Sequence, residues 1–483
     1  MHQVQYRARK RVSDIVGDAQ ASGHALHKAL GPFSITALGV GAIIGAGIFV
    51  LTGTAAAKYA GPGVMLSFML AGFACAFVGL CYAELAALIP ASGSTYTYTY
   101  ATLGELAAWT IGWDLVLEYS MGAATVAVGW SGYLVSLLAQ FGIHLPPEFT
   151  HAPGAVQLKD GSTIQAVFNV PAAAIVALLT LMLVLGTRES ARLNNLMVLI
   201  KLVVVLAFIG FGIGAVNAGH WTPFVPENTG TFGEFGWSGV LRGASVVFFA
   251  FIGFDAVSTA AQEARNPQRD MPLGILGSLL ICTVLYVAVA AVLTGLVPYQ
   301  ELNVPDPIAL GIDVIAQPWL SLLVKFGALA GLTTVILVLL YGQSRIFFTM
   351  SADGLLPSVF SRVHARTGTP YLSQVWIGVV VAAIAGLFPI HVLGEMVSIG
   401  TLFAFILVCA AVMHLRRTEA EAHRPFRVPG VPIVPLVGIV MCALLMSALP
   451  LDTWLRLLVW LAIGLAIYFG YGRHHSVLAR RTG

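Results

Sequence analysis

A helix needs about 20 mostly apolar residues to cross a bilayer. Twelve stretches of this chain approach or exceed that length: 33–56, 62–88, 103–138, 168–186, 191–216, 239–262, 272–296, 318–348, 373–389, 393–415, 432–450 and 453–472. Polar residues fall mainly in the short connections between them. The pattern predicts an all-α polytopic membrane protein with twelve transmembrane helices. The third and eighth stretches are longer than a bilayer requires, so tilt or extension into the cytoplasm is expected. The connection 139–167 holds Pro146, Pro147, Pro153 and Gly161 and fits a short ordered cap. Ahead of the first stretch, VSDIVGDAQASGHALHKAL reads equally as an interfacial amphipathic helix or a mobile basic tail.

Composition narrows the class. Of 483 residues, 58% are hydrophobic and 10% charged, whereas a soluble globular chain carries about a quarter charged. The five cysteines (Cys75, Cys81, Cys282, Cys409, Cys442) all lie in apolar stretches without metal-ligand spacing, and are expected as small packing residues. No apolar core of a cleavable signal peptide precedes the first stretch, which is expected to direct insertion itself.

The basic residues orient the spans. With both termini in the cytoplasm, 19 Lys and Arg residues fall inside and 5 outside (Lys58, Lys159, Arg242, Lys325, Arg456), leaving Lys201 within a span. Positive charge concentrates on the cytoplasmic side of membrane proteins. An odd number of spans would scatter these loops over both faces, so the asymmetry also favours twelve.

Two spans look broken. GAIIGAGIF, residues 41–49, places Gly41, Gly45 and Gly47 at mid-depth in the first, and each glycine costs about 1 kcal/mol relative to alanine inside a helix. Gly41 and Gly45 alone fit a GxxxG packing motif. The sixth span changes the balance: FFAFIGFDAVSTAAQEA, 248–264, has Gly253 followed by Asp255, an ionisable group that a lipid-facing helix would not keep. Paired interruptions in corresponding spans mark an inverted-repeat transporter, with five spans in each half.

With these motifs the chain resembles a known family. GVGAIIGAGIFVLTG, CYAELAALIPASGSTYTYTYATLGE and GTRESARLNNLMVLIK are similar to motifs of the amino acid–polyamine–organocation superfamily. FFAFIGFDAVSTAAQEARNPQRDMP and YGQSRIFFTMSADGLLP resemble its cationic amino acid transporter subgroup, bacterial type, and the likeness runs from about residue 24 to 472. The resemblance implies a LeuT-type fold with a 5+5 inverted repeat and discontinuous helices 1 and 6, working by alternating access. The expected layout is a cytoplasmic segment 1–31, a first repeat 32–216, a second repeat 217–415, two further spans in 416–472 and a cytoplasmic tail 473–483. It implies amino acid import across the cytoplasmic (inner) membrane, with protons the usual driver. Exchange of amino acids, and sensing without transport, stay open.

A transported amino acid is a zwitterion, and a broken helix offers free N–H groups at one new end and free carbonyls at the other. The N–H groups of Gly45, Ala46 and Gly47 are expected to meet the carboxylate, and the carbonyls of Ile43, Phe249, Ala250 and Ile252 the ammonium. The resemblance places these residues at the family's backbone-binding positions. Where relatives often have threonine this chain has Ala46, so recognition there rests on backbone.

Lys201 lies about 15 Å up a helix that rises 1.5 Å per residue. A charge at that depth is costly and functional by default. In proton-coupled relatives a lysine here takes the place of a bound ion, which implies that protonated Lys201 bridges spans 1, 5 and 8. The resemblance puts Glu118 at the side-chain end of the pocket; a structural carboxylate is the rival reading. Asp114 is expected in the inner vestibule, and Asp255 as a cap on the new helix end. Phe251 and Phe254 are candidate lids, with packing as the alternative. Leu339 and Leu340 are bulky and apolar, which tilts preference toward neutral substrates. Glu84, Glu105, Arg188, Glu189, Glu263, Arg265 and Arg269 collect at the inner helix ends, as solvated charges or as gate ion pairs.

The spans hold no HExxH, no GxSxG with a partner and no paired protease aspartates, so an enzyme is not expected. No repeat of filter residues suggests a channel. The expected partners are a small amino acid substrate and the lipid bilayer; neither a cofactor beyond the proton gradient, nor a metal, nor nucleic acid is expected. A small membrane subunit is left open.

Overall fold

The computed structural model describes residues 30–45, 47–89, 95–157, 162–186, 191–255, 257–258, 264–364, 369–419, 421 and 424–482. Its helices begin with α1 (Pro32–Ile43), α2 (Val64–Leu88), α3 (Thr95–Thr102), α4 (Glu105–Gln140), α5 (Val170–Val184), α6 (Ala191–Gly212) and α7 (Gly236–Val247). They continue with α8 (Pro267–Leu296), α9 (Pro307–Val314), α10 (Pro318–Ala352), α11 (Tyr371–Leu387), α12 (Ile390–Thr418), α13 (Ile433–Ser447) and α14 (Leu451–Ile467). Proline stands in the first turn of α1, α5, α8, α9 and α10, where its missing N–H has no intrahelical partner to lose. Asn169 caps α5 by accepting the Ala172 N–H at 3.1 Å.

Among the described residues, seven helices are by length and composition apolar enough to cross a membrane, including the run Gly47–Leu88. Five shorter apolar helices accompany them: Pro32–Ile43, Val170–Val184, Gly236–Phe251, Tyr371–Leu387 and Ile433–Ser447. Each of the twelve apolar stretches overlaps at least one helix among the described residues.

The first stretch is interrupted. α1 ends at Ile43, Ile44 is extended, and helix resumes at Gly47, alternating wide π turns with an α turn to residue 60. The sixth is interrupted as well: α7 tightens into the 3₁₀ turn Phe248–Phe251, Ile252 is extended, and Gly253 takes φ +112°. Only glycine accepts that conformation readily.

α4 packs along α10 and α12, α8 against both α1 and α2, α11 against α5, and α13 against α12. One buried apolar core runs through these helices and encloses both interruptions. Leu178, Leu181, Leu280, Val284, Phe326, Val379, Leu455 and Val459 are exposed on the outer faces. In water an apolar surface on this scale would be a liability; against lipid chains it costs nothing.

Two details depart from the apolar pattern. The 139–167 connection contains an antiparallel hairpin, β1 (Gly154–Gln157) with β2 (Thr163–Ala166), pairing Gly154 with Ala166. The short helix α3 is separated from α4 by Gly104 at φ +95°. Hydropathy does not register either, because neither changes which residues are apolar. The amphipathic-helix expectation for the N-terminal segment falls almost entirely on residues outside those described.

Candidate functional site

The two interruptions meet. A Cβ on Gly47 would overlap the Cα and Cβ of Ala250, so glycine lets the restarted helix lie directly on the 3₁₀ turn after α7. A Cβ on Gly253 would stand 2.6 Å from the carbonyl oxygen of Ala42, which brings the second break against the end of α1. Both contacts are between backbones, the arrangement that small residues permit and larger ones prevent.

Backbone groups of opposite polarity gather here. No acceptor among the described residues meets the N–H of Gly45, Gly47 or Ile48. Such groups are the unpaired donors of a new helix start, reinforced by the helix dipole. On the other side, the carbonyls of Ile43 and Ala250 converge on one point: the Tyr286 hydroxyl of α8 lies 2.8 Å from the first and 2.9 Å from the second. The Phe249 carbonyl accepts the Ile252 N–H at 3.2 Å within the turn. Tyr133 of α4 donates to the Phe49 carbonyl at 2.7 Å, anchoring the restarted helix. Ala46 lies outside the described residues.

Lys201 is buried in α6, and its Nζ donates to the Gly41 carbonyl at 3.4 Å. Its aliphatic stem runs along Gly331 of α10, where a Cβ would come within 2.9 Å of Cγ. The side chain thus lies between α1 and α10, at the helix end that precedes the first break.

Asp255 accepts the Gly253 N–H through Oδ1 at 3.1 Å, a bond to the residue two before it within the second break; the helix end expected to follow it lies largely outside the described residues. Glu118 is buried in α4 facing Thr401 of α12, and its Oε1 has no hydrogen-bond partner. One turn earlier Asp114 is also buried, beside Gly400, with neither carboxyl oxygen bonded. Asp114, with neither oxygen bonded, and Glu118, with Oε1 unpaired, lie in a dry interior where an ionised carboxylate is expensive, which makes this side of α4 chemically distinctive. Phe251 packs against Phe68 and Tyr286, and Phe254 against Tyr82 and Phe405. Both rings are fully buried in aromatic packing.

The apolar wall comes from α10. A Cβ on Gly45 would sit 3.3 Å from Val335, and one on Gly122 of α4 would sit 3.3 Å from Leu339. Val335 and Leu339 are four residues apart and so share one helix face. Leu340, the next residue, is buried. Val335 and Tyr286 carry no signal in the sequence, because a valine or tyrosine in a membrane helix looks like any packing residue.

The helix-end charges divide between paired and exposed groups. Glu84 is buried and takes a bidentate bond from Arg416 (2.8 and 2.7 Å), with Arg424 at 3.3 Å and the Val428 N–H at 2.7 Å. Glu105 is held by hydroxyls rather than cations: Tyr100 at 2.8 Å, Tyr468 at 3.0 Å, and Ser476. Arg265 and Arg269 are exposed; Arg188, Glu189 and Glu263 lie outside the described residues. At the opposite end Arg242 of α7 pairs with Glu395 of α12 at 2.7 Å, both buried. Arg242 also donates to the Ala448 carbonyl at 2.8 Å and stacks over Tyr59 at 5.0 Å, while Thr453 donates to Glu395 at 2.7 Å. Counting Arg242 as an outer loop charge misses this pair, since its partner lies 153 residues away in sequence.

Lipid-exposed helices surrounding two interrupted ones, whose free backbone groups turn inward, are the build of a polytopic membrane permease. The chain belongs to the amino acid permease family, within the amino acid–polyamine–organocation superfamily: the family's model matches residues 30–467. Among its relatives is the branched-chain amino acid permease BcaP of Bacillus subtilis (strain 168), 48% identical over 471 residues and covering 97% of this chain and 98% of the relative. The methylthioribose transporter of the same strain is 47% identical over 460 residues, covering 95% and 96%. Cationic amino acid transporter 9, chloroplastic, of Arabidopsis thaliana is 37% identical, covering 94% and 90%. The likeness to this cationic transporter is thus weaker than that to the two Bacillus subtilis transporters.

Proposed function

We propose that the chain imports amino acids across the cytoplasmic membrane as a secondary active transporter, by alternating access driven by protons. The arrangement proposed is LeuT-type: twelve spans with both termini cytoplasmic, repeats 32–216 and 217–415, and spans in 416–472 outside the repeat. One observation carries the reading. At a single place, the carbonyls of Ile43 and Ala250 converge while the N–H groups of Gly45, Gly47 and Ile48 lack acceptors among the described residues. Donors for a carboxylate beside acceptors for an ammonium form a receptor for the charged ends of an amino acid, whatever its side chain.

Val335 borders that place from α10, and Leu339, one turn further along the same face, packs toward Gly122 of α4; these apolar side chains favour neutral aliphatic substrates. The name of the branched-chain permease relative points the same way. Glu118 faces the site from α4 in this reading. Lys201 takes the coupling role: protonated, it holds the Gly41 carbonyl and leans on Gly331; deprotonated, it releases α1 from α10. Exchange and sensing would use the same receptor and differ only in the steps after binding.

The methylthioribose transporter relative supports a second reading, since it matches at nearly the same identity. Methylthioribose has neither an ammonium nor a carboxylate and would leave the backbone receptor unused. A thermal-shift competition panel separates the two. Leucine, isoleucine and valine are expected to stabilise the protein by mass action, about 2.7 kcal/mol at a hundred times Kd, and methylthioribose is not. Stabilisation by methylthioribose alone overturns the amino acid reading.

A further inference from the structure

Tyr286 does more than the packing its position suggests. Its ring is fully buried and fixed between Phe68 and Phe251, each with its centroid 5.4 Å away. Its hydroxyl has one proton and two acceptors, on different interrupted helices. A hydroxyl can satisfy only one carbonyl fully at a time. A purely structural tether needs one acceptor; this hydroxyl instead sits where the two broken helices present a shared negative pole.

We propose that the Tyr286 hydroxyl stands in for the substrate ammonium in the unloaded carrier. It bridges the carbonyls of Ile43 and Ala250 so that the two interrupted helices move together when empty. This inference rests on the reading that the ammonium binds those carbonyls. An ammonium brings three N–H donors and a full charge, and charge-assisted hydrogen bonds are roughly twice as strong as neutral ones. The substrate therefore displaces the hydroxyl, and each carbonyl then has its own donor. On release the hydroxyl returns, and the empty carrier can reorient without two unpaired buried carbonyls. Tyr286 is a positioning residue for the return step and a competitor in the binding step.

The two roles give opposite signs in one variant. Tyr286→Phe keeps the ring and removes the hydroxyl. Exchange into preloaded proteoliposomes uses only the loaded carrier, whereas net uptake into empty ones requires the unloaded carrier to return. The variant is expected to lose net uptake about tenfold more than exchange, and to bind leucine about fivefold more tightly, effects of the size of one buried hydrogen bond. Equal loss of both activities, or unchanged or weaker binding, overturns the role. Should the variant misfold, 3-fluorotyrosine at position 286 in the otherwise native protein gives a second readout. Saturating leucine is expected to shift its fluorine resonance, and an unmoved resonance contradicts displacement. Leucine binding to the native protein is measured first: without it the amino acid reading fails and this role with it, whereas binding with no Tyr286 effect sinks the role alone.

Discussion

Gly47 lies directly on Ala250, backbone to backbone, with no room between them for a β-carbon. That contact joins the restarted half of the first interrupted helix to the turn that ends the first half of the other. A methyl group at Gly47 must push the halves apart by a distance comparable to a bond length. Misplacing reacting or binding groups by about 1 Å can cost a hundredfold in rate. Gly47→Ala is therefore expected to cut leucine uptake by about that factor. Uptake within twofold of the native protein would show that the contact is not needed.

Lys201 and Gly331 form a coupled pair. Lys201→Ala removes the donor to Gly41 and is expected to abolish uptake driven by an inward proton gradient while leaving leucine binding measurable. Gly331→Ala places a methyl against the lysine stem, whose Cγ would lie 2.9 Å away. It is expected to weaken coupling in the same direction without unfolding the protein, because a flexible stem can shift. Proton-driven uptake that survives in Lys201→Ala would remove the coupling role.

The α10 wall sets side-chain preference. Leu339→Ala removes a methine and two methyl groups from the face shared with Val335. One methylene in an apolar pocket is worth about 1–3 kcal/mol, so leucine affinity should fall at least tenfold. Lysine and arginine are expected to remain poor ligands of both forms. Tight arginine binding by the native protein would mean that the wall is not where the side chain lies.

Arg242 and Glu395 should behave as a buried ion pair rather than as surface charges. Removing one partner strands the other, at about 3–5 kcal/mol. Arg242→Met and Glu395→Met are each expected to lower the melting temperature more than the double substitution does. A double variant as unstable as the sum of the singles would show that the charges act independently.

The legible parts of the site are those that break a rule of membrane helices. Glycines at mid-depth in 41–47, Gly253 close to Asp255, and a lysine, Lys201, in mid-span stand out against a leucine-rich background. All three lie at or beside the two interruptions. Tyr286, Val335 and Gly122 break no rule and stay invisible in the sequence; only the approach of separate helices gives them a role. The same holds for charge. Glu84 reads as a solvated helix-end charge or a gate ion pair, with nothing in the sequence to name its partners; Arg416 and Arg424 reach it across more than 300 residues of chain. Side-chain pairing over that separation leaves no local pattern, and the β1–β2 hairpin is too short to imprint one.

The central claim is that the joined interruptions bind and carry an amino acid. Radiolabelled leucine uptake into proteoliposomes with an imposed inward proton gradient, native protein beside Gly47→Ala, tests it directly. Gradient-dependent accumulation by the native protein that collapses in Gly47→Ala is the predicted result. Absence of accumulation by the native protein, in empty and preloaded vesicles alike, would contradict it.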